Sequence, residues 1–208
     1  MKNDFKVLVL ISGRGSNLKA LIDQAVDFRI IAVLSDEPDA KGLKFADEAG
    51  IPKHVFHVGK KLLKQAILEK CREISPDLIA LAGFMRILQP EFVREFYGKL
   101  VNIHPSLLPD LPGLNTHKRA IQAGINKHGC TVHYVDNGVD TGPIIAQSSC
   151  AVTPDDTEES LSAKVLALEH RLYPWVVNNI ARGQIKLKRD KVWFGDDVKM
   201  DVTAYAGN

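Results

Sequence analysis

The stretch LVNIHPSLLPDLPG, residues 100–113, sets an amide and an imidazole where a buried strand should end. Leu100 to Ile103 reads as apolar strand, and Asn102 and His104 lie two positions apart, so both side chains leave it on one side. Pro105, Pro109 and Pro112 then forbid helix and ladder pairing, which fixes the exit. An amide donor beside an imidazole can stabilise a developing negative oxygen and deliver a proton. A second stretch, VDNGVDTGP at 135–143, offers the carboxylates Asp136 and Asp140. Asp-Asn-Gly is commonly just a turn. A carboxylate next to an imidazole would nevertheless orient the ring and raise its pKa from the usual value of about 6.5.

A third stretch, LISGRGSNLKAL at 10–21, runs from strand through a glycine turn into a helix start. Backbone N–H groups at Gly13, Gly15, Ser16 and Asn17 could hold a phosphate against the helix N-terminus. The same glycines would equally serve a tight turn that needs only their dihedrals. Leu18 replaces the third glycine of a dinucleotide fingerprint and no Gly-Lys-Ser/Thr follows, so neither nucleotide motif is complete. LAGFMRIL, 81–88, places Arg86 after Gly83, either as a ligand contact or as a surface arginine. Glu169 falls at the margin of an apolar helix face made by Val165, Leu168 and Leu172, an edge residue or a ligand contact.

Metal and redox chemistry find little support. His54, His57, His117, His128, His133 and His170 show no metal-ligand spacing, and His133 reads as a hydrogen-bonded structural residue. The three cysteines, Cys71, Cys130 and Cys150, are scattered and odd in number, which argues against a disulfide framework and suits a reducing cytoplasm.

The elements that must position these groups alternate. Strand-like runs occupy 6–12, 30–36, 54–58, 78–84 and 100–104. Between them lie helical patterns. Ser16 is placed as an N-cap, with Leu18, Leu21, Ile22 and Ala25 on one face. KGLKFADEAG closes on Gly50. Leu63, Ile67, Cys71 and Ile74 form another stripe, which makes Cys71 core. Pro90 opens a helix that ends at Gly98. This order implies right-handed βαβ units and a mostly parallel sheet with helices on both faces, Rossmann-like, with ligands at the carboxyl ends of the strands. The second half changes character: a short helix in THKRAIQAG, an antiparallel pair at 128–135 and 142–152, and a long helix. Asp156 with Glu159 reads as its capping box, and Pro174 should kink or split it. GQIKLKRDKVWF suggests a final hairpin.

The chain has 208 residues, 45% hydrophobic and 25% charged, with a formal net charge of +2. That is ordinary globular composition, too mildly basic to argue for nucleic acid. The basic runs at 59–64 and 186–191 read as solvated faces. KVLVLIS is too short to cross a bilayer and lacks a cleavage pattern. One domain over 1–208 is expected, with a phosphate-binding βαβ half at 1–100 and a catalytic half at 101–208.

Together ISGRGSN, LAGFMRIL, NIHPSLLP, HGCTVHYV with its following Asp and Gly-Pro, and EHRLYP resemble the phosphoribosylglycinamide formyltransferases of purine synthesis, in order and over nearly the whole chain. The resemblance implies the formyltransferase fold and formyl transfer from 10-formyltetrahydrofolate, as co-substrate, to the amine of glycinamide ribonucleotide. It also implies Asn102, His104 and Asp140 as the catalytic trio. Gly15, Ser16 and Asn17 match the substrate-phosphate loop, and Glu169 a substrate contact. Met85, Arg86, Ile87 and Leu88, with the loop Asp136 to Asp140 and Asn102, match the folate side. Lys60 or Lys61 could supply a basic folate contact. Asn115 stands where the family often has histidine. No metal, nucleic acid or membrane is called for, and any assembly would be a weak cytoplasmic homodimer. Two rival readings differ in class and a third lies within the same superfamily. A nicotinamide oxidoreductase would use Asp36 for a ribose, a binding module would lack turnover, and a methionyl-tRNA formyltransferase would bind RNA in a salt-sensitive way.

Overall fold

The computed structural model describes residues 4–56 and 58–198. The chain divides into two compact units, 1–102 and 103–208. In the first unit β1 (Lys6–Ile11) pairs in parallel with β2 (Arg29–Ser35) and with β4 (Leu78–Leu81). β3 (Lys53–Val55) extends the sheet beyond β2, and β5 (Leu100–His104) follows β4, again in parallel. The central strands are apolar throughout: Val7 to Ile11 are fully buried, as expected where a parallel sheet is covered on both faces. Helices α1 (Ser16–Asp23), α2 (Leu43–Glu48), α3 (Lys60–Ile74) and α4 (Pro90–Glu95) alternate with the strands. Strand order reverses between β1 and β4, so their exit loops meet at the switch point where such sheets bind ligands.

In the second unit α5 (Thr116–Gln122) precedes an antiparallel pair, β6 (Lys127–Tyr134) and β7 (Ile144–Ala151). α6 (Glu158–Ala181) packs on that pair. β8 (Ile185–Lys188) and β9 (Lys191–Phe194) form the expected hairpin. Arg189 and Asp190 both take positive φ there, the backbone of a type I′ turn. Lys186 and Lys188 lie over the Trp193 ring at 5.8 and 4.1 Å, which gives the basic run a local role.

The mostly parallel sheet, the antiparallel pair, the long helix and the final hairpin agree with the sequence; several boundaries do not. Ser16 is not the cap of α1. Gly15, at φ 73°, takes that position, and its carbonyl accepts from Lys19 N at 2.9 Å. Gly15 also lies so close to Gly42 that a Cβ would sit 2.4 Å from the Gly42 Cα, which leaves room for no other residue. β4 stops at Leu81 rather than running to 84, because Gly83 turns the chain at φ 74°. β3 ends at Val55, short of the expected 58, and His57 lies outside the described residues. The capping box of α6 is Thr157 with Ser160. Asp156 instead accepts from Thr153 N (2.8 Å), Ser160 Oγ (2.7 Å) and Lys164 Nζ (2.6 Å). Pro174 does not split α6: Leu172, Tyr173, Val176 and Val177 are fully buried around it, and that packing outweighs one missing backbone donor.

Candidate functional site

In the first unit the β1 and β4 exits are tied together. Ser12 N donates to Gly83 O at 3.2 Å, and Met85 N donates to Ser12 Oγ at 2.8 Å. Ser12 Oγ in turn donates to the buried carboxylate of Asp36 at 2.5 Å. Arg86 completes the set, with Nε 2.5 Å from Asp36 and Nη2 2.7 Å from Glu37. Asp36 is thereby engaged on both oxygens, which removes the ribose-binding acid a nicotinamide enzyme would need. Arg86 is a tether for its own loop. That loop presents Met85 and Ile87 to solvent, 67% and 68% exposed, beside a cavity of about 180 Å³ lined by Ile67, Phe84, Leu88 and Phe92.

The glycine turn leaves open space at Gly13, where a Cβ would meet nothing within 4 Å. Gly42 N donates to Gly13 O at 2.9 Å, so α2 holds the turn from behind. Sequence reasoning passed over Gly42; a glycine opening a short amphipathic helix was its only signal. Ser16 and Asn17 form the first turn of α1. Lys60 and Lys61, the expected basic contacts, have side chains outside the described residues. Asn102 is half-buried on β5 and lies opposite Leu81 of β4.

In the second unit the structure brings His104 and Asp140 together. His104 is buried, with Nδ1 3.3 Å from Asp140 Oδ2 and Nε2 3.1 Å from the Leu111 carbonyl. Gly113 N donates to the same Asp140 oxygen at 2.9 Å. Asp140 takes φ 57°, a conformation aspartate tolerates better than most residues. Its other oxygen faces His133 Nε2 at 3.8 Å, and His133 Nδ1 donates to Tyr134 O at 2.8 Å. Burial pushes the His133 pKa down. Asp136 does not join this group. It accepts from Gly138 N at 3.0 Å and from Thr141 Oγ1 at 2.7 Å, closing its own loop.

The segment after His104 is anchored by β6 and β7 rather than by a ladder. Thr131 Oγ1 donates to Ser106 O at 2.7 Å and accepts from Leu108 N at 3.0 Å. Gln147 Nε2 bonds Leu108 O at 2.7 Å and Thr131 Oγ1 at 2.9 Å. His128 also bonds the Pro105 backbone, and burial drops its pKa to about 4. His117 Nδ1 lies 3.2 Å from His128 Nε2. Leu111 O, Gly113 N–H and Thr131 were absent from the sequence reading, the first two because backbone groups leave no trace in residue type.

Glu169 is buried within α6, and its charge adds to the burial that raises the Cys130 thiol pKa. Cys71 is core, with burial as the main cause of a pKa near 12. Among the described residues no group of three or more His, Cys, Asp or Glu is placed to hold a metal ion. Nor is any helix among them long and apolar enough to cross a membrane.

Residues 5–177 match the formyl transferase family. The chain is 39% identical to the phosphoribosylglycinamide formyltransferase of Escherichia coli (strain K12), covering 97% of this chain and 99% of that one. Its Haemophilus influenzae counterpart is 41% identical, over 97% and 98%. The trifunctional purine biosynthetic protein adenosine-3 of Drosophila melanogaster is 44% identical over 188 residues, 86% of this chain, which spans only 14% of that protein's length. Among solved structures, the phosphoribosylglycinamide formyltransferase of Anaplasma phagocytophilum superimposes with a TM-score of 0.89 at 44% identity, covering 94% of this chain and 96% of that one.

Proposed function

The chain belongs to the formyl transferase family and, within it, to the phosphoribosylglycinamide formyltransferases, and from that premise we propose that it moves the formyl group of 10-formyltetrahydrofolate onto the amine of glycinamide ribonucleotide. The products are formylglycinamide ribonucleotide and tetrahydrofolate, in purine synthesis.

The observation that carries the reading is the seating of His104, with Asp140 3.3 Å from one ring nitrogen and the Leu111 carbonyl 3.1 Å from the other. An acceptor at both nitrogens suits the doubly protonated ring, which has a donor at each. Attack of the amine on the formyl carbon puts negative charge on the formyl oxygen. The His104 Nε2–H can exchange a neutral carbonyl for that oxygen while Nδ1–H keeps its charged partner. The Asn102 amide is the second donor. Losing one donor of this kind typically costs about 10²–10³ in rate. Breaking the carbon–nitrogen bond to folate requires a proton on the departing nitrogen, and the attacking amine must lose one. His104 supplies the first, and a water held by Asp140 takes the second, so protons balance across the transfer.

The turn at Gly13, Gly15, Ser16 and Asn17 is proposed to hold the substrate phosphate. Support comes from the left-handed Gly15, the open space at Gly13 and the start of α1. Glu169 is assigned to the ribonucleotide. Met85 to Leu88, with the loop from Asp136 to Asp140, is assigned to the folate, whose aromatic rings suit the exposed Met85 and Ile87. In this reading the partners are two small molecules in the cytoplasm. Nothing in the chemistry calls on a metal, a nucleic acid or a membrane.

The test is a coupled assay following deformylation of 10-formyltetrahydrofolate with and without glycinamide ribonucleotide. Tetrahydrofolate release that requires both substrates is expected. Folate binding without release, or release driven by methionyl-tRNA instead, would overturn the assignment.

A further inference from the structure

We propose that Arg119 is a positioning residue whose guanidinium clamps the loop that seats Asp140 against His104. From α5, Arg119 Nη1 donates to Pro112 O at 2.6 Å and to Leu114 O at 3.2 Å. Gly113, the residue between those two carbonyls, points its N–H at Asp140 Oδ2, 2.9 Å away. That oxygen is the one 3.3 Å from His104 Nδ1. Two residues before Gly113, Leu111 O bonds the other ring nitrogen at 3.1 Å. The segment therefore holds the His–Asp pair with two backbone groups, and Arg119 holds the segment.

The backbone explains why a clamp is needed. Leu111, Gly113 and Asn115 take φ of 54°, 78° and 57°. For a leucine the left-handed conformation is costly, and such strain persists only where surrounding contacts impose it. The Pro112 carbonyl and the Gly113 N–H are opposite ends of one trans peptide unit. Pro112 and Leu114 carbonyls face Arg119 while the Gly113 N–H faces Asp140. Arg119 is well placed to supply the constraint: its own backbone N–H closes the first bond of α5 on Asn115 O at 3.0 Å, so loop and helix start are one unit. A planar guanidinium loses less freedom per bond formed than an ammonium would. Without the clamp, the loop can relax toward right-handed backbone and withdraw the Gly113 donor. The Asp140 carboxylate would then no longer be fixed in distance from the ring.

The inference rests on the reading of His104 as a catalytic residue, and the experiment separates the two. R119L, R119K and H104A are compared with the native protein for kcat, for KM toward each substrate, and for the Gly113 amide resonance in ¹⁵N-labelled protein. D140N marks where that resonance moves when the carboxylate is lost. R119L should lower kcat about ten- to a hundredfold, the scale of a small misplacement of catalytic groups. Both KM values should stay within about threefold, as for an interaction used in the transition state. R119K, which still offers a cation to one carbonyl, should fall between, and the R119L Gly113 resonance should move toward its D140N position. Turnover of R119L within about twofold of native, an R119K no better than R119L, or an unmoved Gly113 resonance would overturn the clamp. An active H104A would instead overturn the catalytic reading, while the Gly113 resonance still judges the clamp.

Discussion

Thr131→Val removes one oxygen from a fully buried site and keeps the shape of the side chain. Thr131 is 0% exposed, as is Ser106, and Leu108 is 4% exposed. The hydroxyl serves Ser106 O at 2.7 Å and Leu108 N at 3.0 Å, so the substitution leaves one buried carbonyl and one buried N–H without that partner. Each such orphan costs about 1–3 kcal/mol. The added methyl returns about 0.8 kcal/mol of apolar burial. Gln147, only part-buried, keeps its 2.7 Å bond to Leu108 O but loses its 2.9 Å bond to the Thr131 hydroxyl. The net loss is about 1–5 kcal/mol, which for a chain of this size lowers Tm by about 2–20 °C. Thermal unfolding followed by circular dichroism reads it, with Thr131→Ser as the control that keeps the hydroxyl. Turnover should fall as well, because these bonds anchor the turn that leaves His104. A Tm for Thr131→Val equal to that of Thr131→Ser would refute the reasoning, since the hydroxyl would then bear no load.

Gly15→Ala puts a Cβ 2.4 Å from the Gly42 Cα on a residue at φ 73°. Left-handed strain of about 1–2 kcal/mol and overpacking of about 1–3 kcal/mol sum to about 2–5 kcal/mol. Urea unfolding measures this, and a midpoint unchanged from native would contradict the close approach. The pH dependence of stability follows from His128. Burial lowers its folded pKa to about 4, while the unfolded ring titrates near 6.5. Between those values the unfolded chain binds more protons, so the native stability falls as pH drops from about 6.5 to 4 and this contribution then levels off. Its full size is up to about 3 kcal/mol. His128→Asn should flatten that window in urea titrations, and an unaltered slope would show that the ring is not held neutral.

The sequence disclosed the strands of the parallel sheet because Val7 to Ile11 and Leu78 to Leu81 are apolar without interruption. It overran where a glycine acts on the backbone: β4 ends where Gly83 turns the chain, and α1 begins on Gly15 rather than Ser16. Pro174 misled in the opposite direction, since its local cost was legible but the burial of Tyr173, Val176 and Val177 around it was not. His104 stood out because an imidazole at a buried strand end is unusual. Asp140 could not be ranked above Asp136 by residue type. What separates them is tertiary: Asp136 bonds Gly138 and Thr141, whereas Asp140 faces His104, His133 and Gly113. The groups that seat the pair, Leu111 O and Gly113 N–H, belong to the backbone and could be offered by any residue able to take the required φ.

The decisive measurement is single-turnover formyl transfer by His104→Ala, with the affinity for each substrate measured calorimetrically on the same protein. The expected result is a rate lower by about 10²–10³ with both substrates still bound at near-native affinity. A near-native rate, or a loss confined to binding, would contradict the role assigned to the imidazole between Asp140 and Leu111.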